Sequence, residues 1–306
     1  FLIDIICWKL DKGLPVSGFC LRMAEMIIVR IQGGLGNQLF QYALYESFRN
    51  IGREVKADVT GYLEGREERE LELGKLGIEM DLANRNELHR YYADNSVWTD
   101  RILRYTLGRK RYIKEKSCEF NPQIFNLYNG YLNGYWQSEK YFQEVANKIR
   151  RNIIFQNINT PEIMSMETKM ERNESVSVHI RIGDYLQNLE MYGNICTPEY
   201  YRKAFEYMQE KVKNPVFYVF SDEPEKAEEI LNGYNYCMVT ENRGENSYKD
   251  MYLMSRCRHH IIANSTFSWW GAWLDEKTNQ IVLTPTKWNN FCIGSDICCI
   301  GWRAIS

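Results

Sequence analysis

A chain of 306 residues, 44% of them apolar, is long enough to bury a sizeable core and reads as two domains. Its 38 basic and 40 acidic residues leave no overall field to attract nucleic acid, so an anionic ligand must be held by local groups. No run approaches the roughly 20 apolar residues that span a bilayer. Nine scattered cysteines, without a C-x-x-C pair or a His-flanked cluster, argue against a zinc site and a disulfide framework and fit a reducing compartment.

The first 25 residues read as an appendage. Phe1 to Trp8 is apolar but short, is broken by Asp4, and has neither a basic start nor a small-residue cleavage site. The folded unit is expected to open at Met26, with a strand from Ile27 to Ile31 and then Gly33-Gly34-Leu35-Gly36. A helix follows from about Asn37, with apolar residues at Leu39, Tyr42, Ala43 and Phe48. Another strand is expected near Val55 to Val59. The charged stretch from Gly61 to Asn129 is irregular, with helical pieces near Asn86 to Ala93. Tyr131 to Gln137 reads as a strand and turn before a helix from Ser138 to Arg151, and a polar segment from Gln156 to Glu174 separates the halves.

The second half alternates strand and helix: strands near 176–181, 216–221, 236–240, 259–263 and 280–284, helices near 198–212, 224–232, 247–256 and 266–275. Repeated βα units predict a parallel sheet covered on both faces, an α/β fold, with right-handed crossovers. The domains expected are 26–155 and 156–306, facing each other across a cleft.

Chemistry gathers at strand ends, where ligands of open α/β sheets bind. The strand from Val176 ends in His179, Arg181, Gly183 and Asp184, and alternation puts His179 and Arg181 on one face. A guanidinium fork suits diphosphate oxygens. A core histidine and a surface ion pair of Arg181 with Asp184 would also produce this pattern. Asp222, at the next strand tip, could meet a nucleobase edge or cap the helix begun by Pro224. Asn264, Ser265, Thr266 and Ser268 stand at a helix start, where hydroxyls and amides can hold a phosphate or simply cap. Trp269, Trp270 and Trp273 fall at helical spacing and read as core. The glycine loop could let amides approach a ligand, or be a tight turn capped by Asn37. As a dinucleotide fingerprint it lacks a third small residue where Leu39 stands, although Asp58 lies near the expected distance. No Asp-x-Asp pair offers a metal to a leaving diphosphate. Arginine and a helix terminus can supply that stabilisation instead.

The segments Gln32 to Ala43, Tyr131 to Phe142, His179 to Tyr185, Phe220 to Glu223 and Asn264 to Trp273 resemble the motifs of glycosyltransferase family 11, the α-1,2-fucosyltransferases, most closely its bacterial branch. The similarity runs from Met26 to about Trp288. It implies a GT-B fold of two Rossmann-like domains, acceptor-side first and donor-binding second. It also implies GDP-β-L-fucose as donor and transfer to the 2-hydroxyl of a terminal β-galactoside, with inversion and without a metal or other cofactor. Under it Arg181 would grip the pyrophosphate, His179 and Asp222 would face the guanosine, and Asn264, Ser265 and Thr266 would form the phosphate end. Asn37 and Gln38 would face the reacting sugar. The related group often has a second arginine where Ile182 stands, so Arg181 would carry more of the charge. Asp184 is the first candidate for the base that takes the acceptor proton, with Glu46, Asp58 and Glu190 as alternatives. Acceptor choice is expected to lie between Gly61 and Tyr128. The expected location is cytoplasmic, with a lipid-linked acceptor drawing the protein to the inner face of the membrane. A nicotinamide-dependent oxidoreductase and a non-catalytic sugar-binding protein are the alternatives from other classes.

Overall fold

Each half of the chain builds one all-parallel sheet, and loops at the carboxyl ends of both sheets line a common cleft. The computed structural model describes residues 25–89, 91, 112–240, 242, 244–292 and 296–306. The appendage, apart from Glu25, and part of the expected acceptor-selecting stretch lie outside these residues.

The first half contains β1 (Met26–Arg30), α1 (Leu35–Asn50), β2 (Glu54–Asp58), β3 (Tyr112–Lys114), β4 (Gly130–Asn133) and α2 (Ala146–Asn152). The sheet order is β2-β1-β4-β3. β1 is an unbroken apolar run because helices or loops cover both of its faces, as a central parallel strand requires. The second half contains α3 (Pro161–Arg172), β5 (Glu174–Ile180), α4 (Pro198–Lys211), β6 (Pro215–Ser221), α5 (Pro224–Ile230) and β7 (Tyr236–Val239). It continues with α6 (Tyr248–Arg256), β8 (His259–Ile261), α7 (Thr266–Trp273), β9 (Val282–Pro285) and β10 (Arg303–Ile305), in sheet order β10-β9-β8-β5-β6-β7. Two parallel α/β sheets facing a cleft are the GT-B arrangement.

Three departures from expectation have physical causes. α3 occupies the segment read as a polar separator. Only Ile163 and Met170 are buried on it, so its composition hides it, while Thr160 caps its start by accepting from the Ile163 amide and Pro161 fills the first turn. The expected helix from Ser138 is two short 3-10 turns leading into α2, and β3 and β10 are three-residue strands too short to show a pattern. Cys118 and Cys292 form a disulfide with Cα atoms 5.9 Å apart, where the cysteine pattern argued against a disulfide framework. Its partners are 174 residues apart, a separation for which spacing offers no signal.

The halves share one apolar core. Phe40 of α1 packs against Trp269 and Trp270 of α7 with ring centroids 4.5 and 5.1 Å apart, and Phe142 stacks on Trp270 at 5.4 Å. All three tryptophans of α7 are buried, as their helical spacing implies, and each indole nitrogen donates within the core: to Ile297 O, Gly36 O and Glu139 Oε1.

Under the second sheet lies a buried polar cluster. His260 Nδ1 meets Ser177 Oγ at 2.8 Å and its Nε2 meets Asp275 Oδ2 at 3.1 Å, while Lys277 Nζ donates to Asp275 Oδ1 at 2.8 Å. Burial lowers the His260 pKa below its ordinary value of 6.5, although Asp275 pulls the other way. Burial would raise Asp275, but hydrogen bonds from His260 and Lys277 outweigh it and hold the carboxyl below its usual range. Below pH 6.5 the unfolded chain therefore takes a proton at His260 that the folded chain refuses, and below the ordinary carboxylate value it takes one at Asp275. Both act in the same direction, so stability is complete above pH 6.5 and falls on acidification, by at most about 1.4 kcal/mol per pH unit per group. Urea unfolding at a series of pH values checks this; a profile flat from pH 7.5 to 5 would exclude it.

Candidate active site

Strand order places the site. β6 lies on one side of β5 and β8 on the other, so the order in which strands are added reverses between β5 and β8 in the second sheet, and between β1 and β4 in the first. Ligands of open α/β sheets bind in the crevices beyond such reversals. Here both crevices open into a single cavity of about 640 Å³. Gly34, Asn37, Glu115, Tyr135 and Gln137 line it from the first half, and His179, Arg181, Asp222, Ser265 and Thr266 from the second.

Arg181 leaves the tip of β5 half-buried. Its Nη1 lies 3.1 Å from Asp222 Oδ2 at the tip of β6, which is the neighbouring strand in register. The Asp222 carboxylate also accepts the backbone N–H groups of Ile182 and Gly183, each at 3.0 Å. Asp222 therefore folds the β5 tip around itself and aims Arg181, rather than capping α5, whose first turn has no side-chain cap. Gly183 is needed there, because a Cβ would lie 2.6 Å from Asp222 Oδ2. The expected partner, Asp184, opens a 3-10 turn at Asp184–Gln187, and its side chain lies outside the described residues. His179 is buried beside the cavity with its ring centroid 5.9 Å from that of Phe267.

α7 starts at the crevice between β5 and β8. Ser265 is its N-cap residue, but no side chain caps the helix, so its first amides open toward the cavity that Ser265, Thr266 and Phe267 line. A helix start of this kind is an anion site. Ser268 is turned inward, its hydroxyl donating to Ser265 O. Thr266 is tied across the cleft: its hydroxyl donates to Asn37 Oδ1 at 3.2 Å, and Gln137 Nε2 donates to the same oxygen at 2.8 Å. Three sequence motifs thus meet at one atom of Asn37.

Other expected residues are held by internal hydrogen bonds. Gln38 is fully buried and does not line the cavity. Its Nε2 donates to Gly33 O and Glu70 O and its Oε1 accepts from the Glu72 amide, so it staples the glycine loop to the segment at 70–72. Asn264 lines the cavity but is buried, its side chain donating to Trp288 O and accepting from Cys196 Sγ. Of the alternative bases, Glu46 pairs with Lys148 at 2.6 Å on α1, and Asp58 accepts from Thr60 and from the Tyr131 hydroxyl. Glu190 is exposed outside the cavity. Among the described residues no group of three His, Cys, Asp or Glu side chains could hold a metal ion, and no helix is long and apolar enough to cross a membrane.

Glu115 was not singled out by its sequence. It follows β3 in an irregular charged stretch, where an isolated carboxylate carries no pattern. It lines the cavity and accepts the amides of Tyr135 at 2.7 Å and Trp136 at 3.1 Å. Burial raises its pKa above the ordinary value, and the two amides only partly offset this. Tyr185 and Tyr192, stacked at 4.5 Å, also line the cavity and offer an aromatic face.

The family model for glycosyl transferase family 11 matches residues 82–306. The chain is 34% identical over 275 residues to the alpha-1,2-colitosyltransferase of Escherichia coli, covering 86% of this chain and 92% of that protein. It is 27% identical over 154 residues to galactoside alpha-(1,2)-fucosyltransferase 1 of Lagothrix lagotricha, covering 47% of this chain and 42% of the other. Among solved structures, NodZ alpha-1,6-fucosyltransferase soaked with GDP-fucose aligns over 82% of this chain and 92% of its own, at 16% identity and a TM-score of 0.43. That distant likeness transfers no residue role. The matches leave the oxidoreductase and the sugar-binding alternatives without support: the chain belongs to glycosyltransferase family 11.

Proposed function

We propose that the protein transfers L-fucose from GDP-β-L-fucose to the 2-hydroxyl of a terminal β-galactoside, with inversion at the anomeric carbon. The observation that carries this reading is the pairing of Arg181 with the open start of α7 at one wall of a cavity whose other wall belongs to the first sheet. The cationic fork and the helix amides receive the diphosphate, and the sugar projects toward Asn37, Tyr135 and Glu115. His179 lines the nucleoside end. Asp222 orients Arg181, and Asn37 with Thr266 holds the two walls at a fixed distance. The acceptor enters from the side of the first sheet; carried on a lipid, it would bring the protein to the inner membrane surface.

The colitosyltransferase relative favours a second donor of the same class, GDP-colitose, whose sugar is fucose without its 3-hydroxyl. A product assay offering GDP-fucose and GDP-colitose in parallel to a panel of galactosides decides between them. Linkage analysis of the product by NMR then tests the α-1,2 bond. Transfer of neither sugar to any galactoside would sink the proposal.

Catalysis is proposed to need no metal, since Arg181 and the α7 amides meet the charge that grows on the departing diphosphate. Turnover in excess EDTA is expected to stay within about twofold of the untreated enzyme. Loss of activity, restored by manganese or magnesium, would replace this with a metal-assisted mechanism.

A further inference from the structure

An inverting displacement needs the acceptor oxygen and the leaving diphosphate on opposite faces of the anomeric carbon. The base that takes the acceptor proton must therefore sit on the wall facing Arg181 and α7. Among the described residues the carboxylates lining the cavity are Glu72, Glu115, Asp222 and Asp250. Asp222 and Asp250 belong to the donor wall, where Asp222 holds Arg181 and Asp250 accepts from Asn242 at 2.9 Å. Glu72 is on the correct wall but is paired with Lys75 at 3.2 Å. Glu115 is on the correct wall and has no cationic partner among the described residues.

We propose that Glu115 is the general base that removes the proton from the acceptor hydroxyl. This inference rests on the transferase reading above. The site around Glu115 is built. The strand end at Gly134 leaves room for it, since a Cβ there would meet Glu115 Cβ at 2.4 Å and Oε2 at 2.7 Å. Trp136 takes a left-handed conformation, with φ of 55°, which directs its own amide and that of Tyr135 onto the carboxylate. Three amide contacts leave at least one of a carboxylate's roughly four lone-pair positions for a hydroxyl in the cavity. As the bond from the donor's anomeric carbon to the phosphate oxygen breaks, its electron pair leaves with the diphosphate. The acceptor oxygen bonds to that carbon from the opposite face, and its proton passes to Glu115 and then to water.

Among the described residues the titratable groups that face Glu115 from other elements are Tyr135 and Tyr141. Burial raises both, Tyr141 to about 12, so neither titrates in the working range. Arg30 and Glu67 act on Tyr135 rather than on Glu115. Lys114 and Lys116 flank it in sequence without forming an ion pair. Burial holds its proton affinity above the ordinary carboxylate value.

The test is the kcat–pH profile of the full chain with GDP-fucose or GDP-colitose and a galactoside. Glu115→Gln is expected to lower kcat by about 10²- to 10⁴-fold, with the donor KM within about twofold, an unchanged melting temperature, and loss of the acid limb expected of the wild type. Formate or azide should restore part of the rate of Glu115→Ala, which a merely structural clamp on the Tyr135 turn would not allow. A Glu115→Gln variant within tenfold of wild type, an acid limb that survives, or absence of rescue in a folded Glu115→Ala protein overturns the assignment. If the variants do not fold, the wild-type profile decides: a kcat that is flat down to pH 4 excludes a carboxylate base, and an acid limb above the usual carboxylate range supports it. A wild type inactive with both donors overturns the transferase reading itself, and this inference with it.

Discussion

Gly36→Ala is expected to lower the melting temperature by several degrees and kcat by about a hundredfold, although it adds one methyl group in the first turn of a helix. A Cβ built on Gly36 lies 2.5 Å from Thr266 C, 2.6 Å from Thr266 Oγ1 and 2.7 Å from Phe267 N. Two of those three atoms are backbone at the start of α7, so no side-chain rotation relieves the clash. α1 and α7 must part, and with them the Phe40–Trp269–Trp270 cluster and the hydrogen bond from Trp270 to Gly36 O. Overpacking a core in this way costs about 1–3 kcal/mol. The larger effect is on chemistry, because the start of α7 is the proposed anion site and a misplacement of about 1 Å in a catalytic constellation can cost on the order of a hundredfold. Gly34→Ala is the control: its nearest neighbour is Arg69 Cγ at 4.0 Å, and it should cost no more than a weaker helix cap. Equal melting temperatures and equal kcat for Gly36→Ala and wild type would show that the two helices can separate freely.

This prediction marks where the sequence ceased to be informative. Parallel strands such as β1 and β6 are apolar runs that stop at polar tips, so the order of elements and the positions of His179, Arg181 and Asp222 could be read directly. What joins the halves could not. The bond between Asn37 and Thr266 spans 229 residues, and the Cys118–Cys292 disulfide spans 174. No local period records either. The same gap hid partners: Arg181 meets Asp222 across a strand register, and Gln38, polar and next to the glycine loop, is buried because three backbone groups satisfy its amide. Glu115 was hidden for the converse reason. Its environment is made by Gly134, Tyr135 and Trp136, and nothing in its own neighbourhood distinguishes it from other surface carboxylates.

Arg181→Lys is expected to be nearly as damaging as Arg181→Ala, each lowering kcat by on the order of a hundredfold or more, the effect of losing one preorganised oxyanion donor. The guanidinium has donors on more than one edge, so it can hold Asp222 with Nη1 while presenting others to two phosphate oxygens. An ammonium is a point charge on a flexible stem; once drawn to Asp222 it has no planar fork left for the diphosphate. The loss should fall on kcat more than on donor KM, because the contact strengthens as charge moves onto the leaving group. Stability should barely change. The side chains of Arg181 and Asp222 are 22% and 23% exposed, an ion pair of this kind contributes about 0–1 kcal/mol, and Asp222 keeps the amides of Ile182 and Gly183 in either variant. Steady-state kinetics beside thermal unfolding of the same preparations separates the two effects. An Arg181→Lys enzyme turning over at near wild-type rate would reduce Arg181 to a structural partner of Asp222. Two unfolded variants would assign it to the fold, and in either case the start of α7 would be left to hold the diphosphate alone.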